Sequence, residues 1–130
     1  MQRTRDEARY RFVEGTLDGF GEGVVVAEGD HDVRAYKKVS VEAITVNQLL
    51  KGAVPRAPRI FFLTMDLNDG KEKERKARSY ILEKFPQSKI NTSAGEGLQK
   101  ALGVTSIEEI VGPIKEVKRR ASGEKTGTVW

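Results

Sequence analysis

Cysteine is absent from the 130 residues and histidine occurs once. Disulfides, thiolate metal sites, cysteine nucleophiles and any mechanism that needs two imidazoles are therefore excluded. Long apolar runs are missing as well. Stretches such as Ile60-Phe61-Phe62-Leu63 fall far short of the roughly 18 residues that a membrane span needs. The polar opening Gln2-Arg3-Thr4-Arg5-Asp6-Glu7 lacks the apolar centre of a secretory signal. The expectation is a cytoplasmic protein with no membrane partner. Aromatic residues make up only 7%, which argues against extensive stacking on single-stranded nucleic acid.

What is present is enough apolar sequence, 38%, for one core, together with 32% charged residues. The net charge of +4 is unevenly placed: residues 1–66 balance 10 Lys/Arg against 10 Asp/Glu, while residues 67–130 carry 13 against 9. A partner attracted by charge should therefore meet the second half. The organisation expected is a flexible N-terminus over 1–9, a single α/β domain over 10–117 and a basic polar tail over 118–130.

The pattern predicts an α/β or α+β fold, a small mixed sheet with helices packed on it, in which N-terminal antiparallel strands precede a βαβ-like unit. Tyr10, Phe12 and Leu17 suggest a short strand before the glycines at 15, 19, 21 and 23. Val24-Val25-Val26 and Val33-Arg34-Ala35-Tyr36 read as strands joined by a turn at Glu28-Gly29-Asp30-His31-Asp32. Ser40 can cap a helix over 41–51 that Gly52 ends. The continuously apolar run 59–65 predicts the central strand, buried on both faces. A helix over 70–85 with Ala77, Tyr80, Ile81 and Phe85 inward, then a strand near 89–92, predicts parallel pairing through a crossover. Ser93-Ala94-Gly95-Glu96-Gly97 reads as a turn before a short helix ending at Gly103. Thr105-Ser106-Ile107-Glu108 is a capping-box pattern opening a helix through Val117 that Gly112-Pro113 should kink or restart.

Three carboxylates and the histidine fall within residues 28–32, but their spacing matches no specific metal site, and Gly and Asp are what a solvated turn selects. Asp66-Leu67-Asn68-Asp69-Gly70 opens like a calcium loop, yet its fifth position is Gly70 and its twelfth Ala77, so no EF-hand forms. Asp66 does stand at the carboxyl end of the expected central strand, where open α/β sheets place functional groups. No metal site and no cofactor are expected. The Ser93 to Gly97 stretch can turn backbone N–H groups toward a phosphate, although Glu96 opposes an anion. Lys71, Lys73, Arg75, Lys76 and Arg78 alternate with Glu72 and Glu74, as on a solvated helix with internal ion pairs. Lys118, Arg119 and Arg120 are adjacent cations at a helix end, suited to the helix dipole or to phosphates.

The order of elements from Lys51-Gly52 through Glu96-Gly97-Leu98-Gln99-Lys100-Ala101-Leu102-Gly103-Val104 resembles the L7Ae/L30e ribosomal-protein family over about residues 41–115. The resemblance implies an α/β/α sandwich that binds kinked RNA. Thr45-Val46-Asn47-Gln48 does not reproduce the family's Gly-Thr-Asn-Glu-like RNA-contact signature, so no contact residue is carried over.

The leading expectation is a noncatalytic nucleic-acid-binding domain, RNA before DNA, using Lys118, Arg119, Arg120, Lys89, Ser93 and Gly95. The second is an interaction or accessory subunit docking a protein partner through the apolar helix 107–117 and Trp130. The third is an enzyme that places a phosphorylated small molecule between Asp66 and the Ser93 to Gly97 turn. It ranks last because no nucleophile–base pair is visible.

Overall fold

A computed structural model describes residues 2–122, and these build a four-stranded sheet with helices on both faces. The strands β1 (Val24–Ala27), β2 (Ala43–Thr45), β3 (Ile60–Leu63) and β4 (Lys89–Asn91) lie in the order β2-β1-β3-β4. All three pairings are parallel, with Val25 opposite both Ala43 and Phe62, and Phe61 opposite Ile90. The helices are α1 (Gln2–Gly19), α2 (Asp30–Lys38), α3 (Val46–Leu50), α4 (Lys71–Lys84), α5 (Ser93–Leu102) and α6 (Val111–Ala121).

Alternation along the strands divides the core in two. Val25, Ala27 and Phe62 face one layer, with Val13 of α1, Ala35 and Tyr36 of α2, Leu98 and Leu102 of α5 and Val117 of α6. Phe20 sits at its centre, edge-on to the rings of Tyr36 and Phe62 at 5.7 and 5.1 Å. Val26, Phe61 and Leu63 face the other layer, with Val46 and Leu49 of α3 and Ala77 and Ile81 of α4.

The continuously apolar run is indeed the interior strand β3, and α4 crosses to a parallel neighbour, β4. The N-terminal half differs from expectation. Residues 10–17 belong to α1 rather than to a strand, and the helix takes in residues 2–9 ahead of the domain start expected at Tyr10.

The antiparallel hairpin is replaced by a parallel β1–β2 pair, because residues 30–38 are helical and supply the crossover that parallel strands require. Asp32, Ala35 and Tyr36 are the buried positions of α2, the i, i+3, i+4 face of a helix, whereas Val33 to Tyr36 alone is too short to show the period. Acidic Asp30 and Asp32 at its start and Lys37 and Lys38 at its end complement the helix dipole.

The helix expected over 41–51 divides into β2 and α3. β-branched Ile44 and Thr45 extend beside β1, and Thr45 then caps α3. Its hydroxyl accepts from the Gln48 N–H at 3.0 Å while the Gln48 side chain accepts from the Thr45 N–H at 2.9 Å. Ser93 to Gly97 is the first half of α5, not a turn; the helix ends at Gly103, whose φ of 71° is the left-handed conformation glycine favours. Ile107–Glu109 is a 3-10 turn, and α6 restarts after it with Pro113 in its first turn, where a missing N–H costs nothing. Lys118 to Ala121 continue α6, while Val129 and Trp130 lie outside the described residues.

Candidate functional site at the carboxyl ends of the central strands

β1 and β3 are neighbours, but the chain leaves them toward opposite faces of the sheet, into α2 and α4 respectively. Such a divergence leaves a crevice at the carboxyl edge, the usual place for ligands in open α/β sheets. Glu28 is the first residue after β1 and Asp66 follows β3 by three, so the fold brings together two acids that are far apart in sequence.

The strand ends are held in register by Thr64, whose N–H and hydroxyl both donate to the Val26 carbonyl, at 2.9 and 3.0 Å. The Asp66 N–H donates to Glu28 Oε2 at 2.7 Å, and the Ile107 N–H donates to Asp66 Oδ1 at 3.0 Å. Asp66 therefore takes the capping role that the Thr105-Ser106-Ile107-Glu108 pattern assigns to a local side chain; Ser106 makes no side-chain cap. The Gly29 N–H donates to Asp32 Oδ2 at 3.2 Å at the start of α2. From the other side, Lys73 reaches over from α4 and its Nζ donates to the Glu28 carbonyl at 3.3 Å.

Electrostatically the crevice is under-compensated. Burial pushes the Glu28 carboxyl up, against the Asp66 N–H, with the Asp66 charge adding to the rise. Asp66 is also raised, by burial first, despite the Ile107 N–H, and Glu108 and Asp69 add to it. Asp32, buried, is pushed up to about 6 by burial and then by the charges of Asp66, Glu28 and Glu108. Among the described residues no three carboxylate or imidazole side chains converge closely enough to enclose a cation by themselves.

Two glycines let helices press onto this edge. A Cβ on Gly70, just before α4, would meet Met65 Cβ and stand 2.9 Å from both the Asp66 carbonyl and Glu28 Oε2. A Cβ on Gly95 would lie 2.8 Å from Thr64 Cα. Buried Gln99, one turn later in α5, donates to the Met65 carbonyl at 2.9 Å. Between the starts of α4 and α5 lies a pocket of about 270 Å³ lined by Asp66, Lys71, Glu74, Thr92 and Glu96 among others.

The residues expected to contact nucleic acid are not gathered into one place. Lys89 is exposed at the start of edge strand β4, and Ser93 is exposed at the first position of α5. Gly95 is buried against Thr64, and the Ala94 N–H is taken by Asn91 Oδ1 at 2.9 Å. Lys118, Arg119 and Arg120 are exposed at the carboxyl end of α6; Arg119 and Arg120 bind Glu116 at 2.6 and 2.8 Å. Arg120 lines a pocket with Leu102, which is about 14 Å along α5 from Ser93 at 1.5 Å per residue.

Of residues 28–32, Glu28 and Asp32 turn inward while Asp30 and His31 are exposed. The sequence signal missed there is the helix start itself, an extended Gly29 followed by Asp32 three residues on, which makes Glu28 the first residue of a strand-to-helix connection and not part of a hairpin. No protein-family model, no curated protein and no solved structure matches this chain.

Proposed function

We propose that the crevice is a divalent-cation site of the magnesium class, at which the protein engages and processes a phosphate ester. The observation that carries this reading is the junction of Glu28 and Asp66. Two carboxylates from adjacent strand ends share a half-buried position, each with one oxygen fixed by a main-chain N–H and the other making no hydrogen bond among the described residues.

Desolvated like charges raise one another's pKa and cost stability, and a bound cation removes both costs. Magnesium fits a place without a closed cage, because it keeps several waters and takes only one or two carboxylates, completing its shell with substrate phosphate. When bound, such an ion polarises a phosphoryl oxygen and acidifies a coordinated water. This reading keeps the phosphorylated ligand and the Asp66 of the third sequence-based expectation, adds Glu28 as the partner that Asp66 lacked, and departs from the expectation of no metal site.

The test is thermal unfolding in chelator and in millimolar magnesium or manganese. Wild type should gain roughly 5 °C or more at cation concentrations well above Kd. Glu28→Gln and Asp66→Asn, which preserve the main-chain hydrogen bonds, should unfold no earlier than wild type in chelator and lose the cation response. Coincident wild-type melts with and without cation would reject the proposal.

A second reading, RNA binding, is favoured by the three exposed cations ending α6 and by the resemblance of residues 41–115 to the L7Ae/L30e family. It is compatible with the first, since RNA is itself a phosphate ester.

A further inference from the structure

We infer that Lys73 is the residue that binds the phosphate group at this crevice, and so selects phosphate esters over neutral ligands; the inference rests on the cation-site reading above. The five cations between 71 and 78 look interchangeable in sequence, but the fold gives them different tasks. Arg75 pairs with Glu72 and Arg78 with Glu74 along the outside of α4, at 2.5 and 3.2 Å. Lys76 is exposed, and Lys71, also exposed, lines the pocket between the starts of α4 and α5 without bonding the end of β1.

Among the described residues Lys73 is the one of the five that bonds the end of β1, reaching from a helix on one face of the sheet to a strand whose chain continues on the other face. It is half-buried, so part of its stem is packed and its head is held in place. Its charge lowers the Glu28 pKa, against the carboxylates of Asp66 and Asp69.

An ammonium has three donors, and the one bond that Lys73 makes is a long one, 3.3 Å, to a neutral carbonyl. Two donors are left for an anion. A phosphate oxygen offers a shorter, charge-assisted bond and would compete well for the third. The Lys73 head stands beside Glu28, so a phosphate bridging it and a cation on Glu28 and Asp66 would have its charge compensated from two sides. A neutral ligand would leave the ammonium with its single weak bond.

Manganese affinity measured by EPR and inorganic phosphate affinity measured by 31P NMR at saturating magnesium, for wild type, Lys73→Met and Lys73→Arg, test the assignment. Lys73→Met should lose phosphate affinity by about tenfold or more, the worth of a hydrogen bond to a charged group. Its manganese affinity should hold or rise, because a competing positive charge has gone. Lys73→Arg should keep most of the phosphate affinity. If Lys73→Met binds manganese and phosphate as wild type does, Lys73 is only a tie between α4 and β1 and the inference fails while the cation site stands. If Lys73→Met loses manganese as well, Lys73 acts through the cation site, and the inference is again overturned. If wild type binds no manganese, the cation reading itself falls and takes this inference with it.

Discussion

The main-chain N–H of Asp66 donates to the Glu28 carboxylate at 2.7 Å, joining groups 38 residues apart at the ends of two adjacent strands. A bond of this kind stabilises the charged form, yet Glu28 is still raised because burial is the larger influence. The same ranking holds at Asp66, where burial outweighs the Ile107 N–H, and at Asp32, where it outweighs the Gly29 N–H. Three carboxyl groups are thus each held by one backbone donor and each remain short of compensation. Such stored cost is what a ligand can relieve.

Asp32 converts that cost into a pH dependence. Its carboxyl lies near 6 in the folded protein against 3.8 ordinarily, so between about pH 4 and pH 6 the folded state holds a proton that the unfolded chain has released. Stability from this group is therefore highest at low pH and is lost as pH rises through the window, by up to about 3 kcal/mol. Asp32→Asn keeps an acceptor for the Gly29 N–H but cannot ionise. Urea unfolding of both proteins from pH 4 to pH 8 should show the variant matching wild type near pH 4 and exceeding it above pH 6. A difference that does not change with pH would contradict the assignment.

Residues 59–92 were legible in sequence because each signal there is local: an unbroken apolar run, an amphipathic stripe, a proline, and strand-forming residues after it. The first 50 residues were not, for identifiable reasons. Val33-Arg34-Ala35-Tyr36 satisfies strand and helix equally over four positions, and only the burial of Asp32 with Ala35 and Tyr36 decides for helix. Thr45-Val46-Asn47-Gln48 carries a capping box, but inside a longer apolar segment the same residues fit a helix interior. The place of Asp66 after the central strand is visible in sequence; that of Glu28 beside it is not, since its partner is chosen by strand order, a long-range outcome that no local pattern encodes.

The glycines give predictions of opposite sign. Gly95→Ala places a methyl 2.8 Å from Thr64 Cα and 2.9 Å from its Cβ, backbone and stem atoms that cannot move aside, so α5 must lift from β3. A loss of about 1–3 kcal/mol is expected, as for overpacking in a core. Gly70→Ala should cost a similar amount and also disturb the Glu28 carboxylate, whose Oε2 would lie 2.9 Å from the added methyl, weakening the cation response. Gly15, inside α1, has nothing within 4 Å of an added Cβ, and Gly15→Ala should stabilise by about 0.5–1 kcal/mol through helix propensity. Denaturant midpoints of the three variants settle the matter, and equal effects at Gly15 and Gly95 would contradict the packing described.

The end of α6 offers the last test, of the RNA reading. Lys118, Arg119 and Arg120 are exposed, but Glu116 sits one turn before them, bonded to both arginines, which hold its carboxyl below the ordinary glutamate value. Among the described residues, Glu116 therefore offsets part of the positive field that a phosphate chain would meet here. Affinity for single-stranded RNA falls with salt at a slope near −0.7 per phosphate neutralised, so replacing all three cations by Ala should flatten the slope by roughly 2. Glu116→Gln should act in the opposite direction, raising affinity at low salt by removing a negative charge from beside these cations while leaving the buried Val117 face of the helix unchanged. These cations lie about 11–14 Å along α6 from its start, near which Asp66 binds the Ile107 N–H, at 1.5 Å per residue. The triple variant should accordingly weaken RNA binding without altering the magnesium shift in melting temperature. Equal salt slopes for wild type and the triple variant, or no gain from Glu116→Gln, would remove the α6 end from any RNA contact.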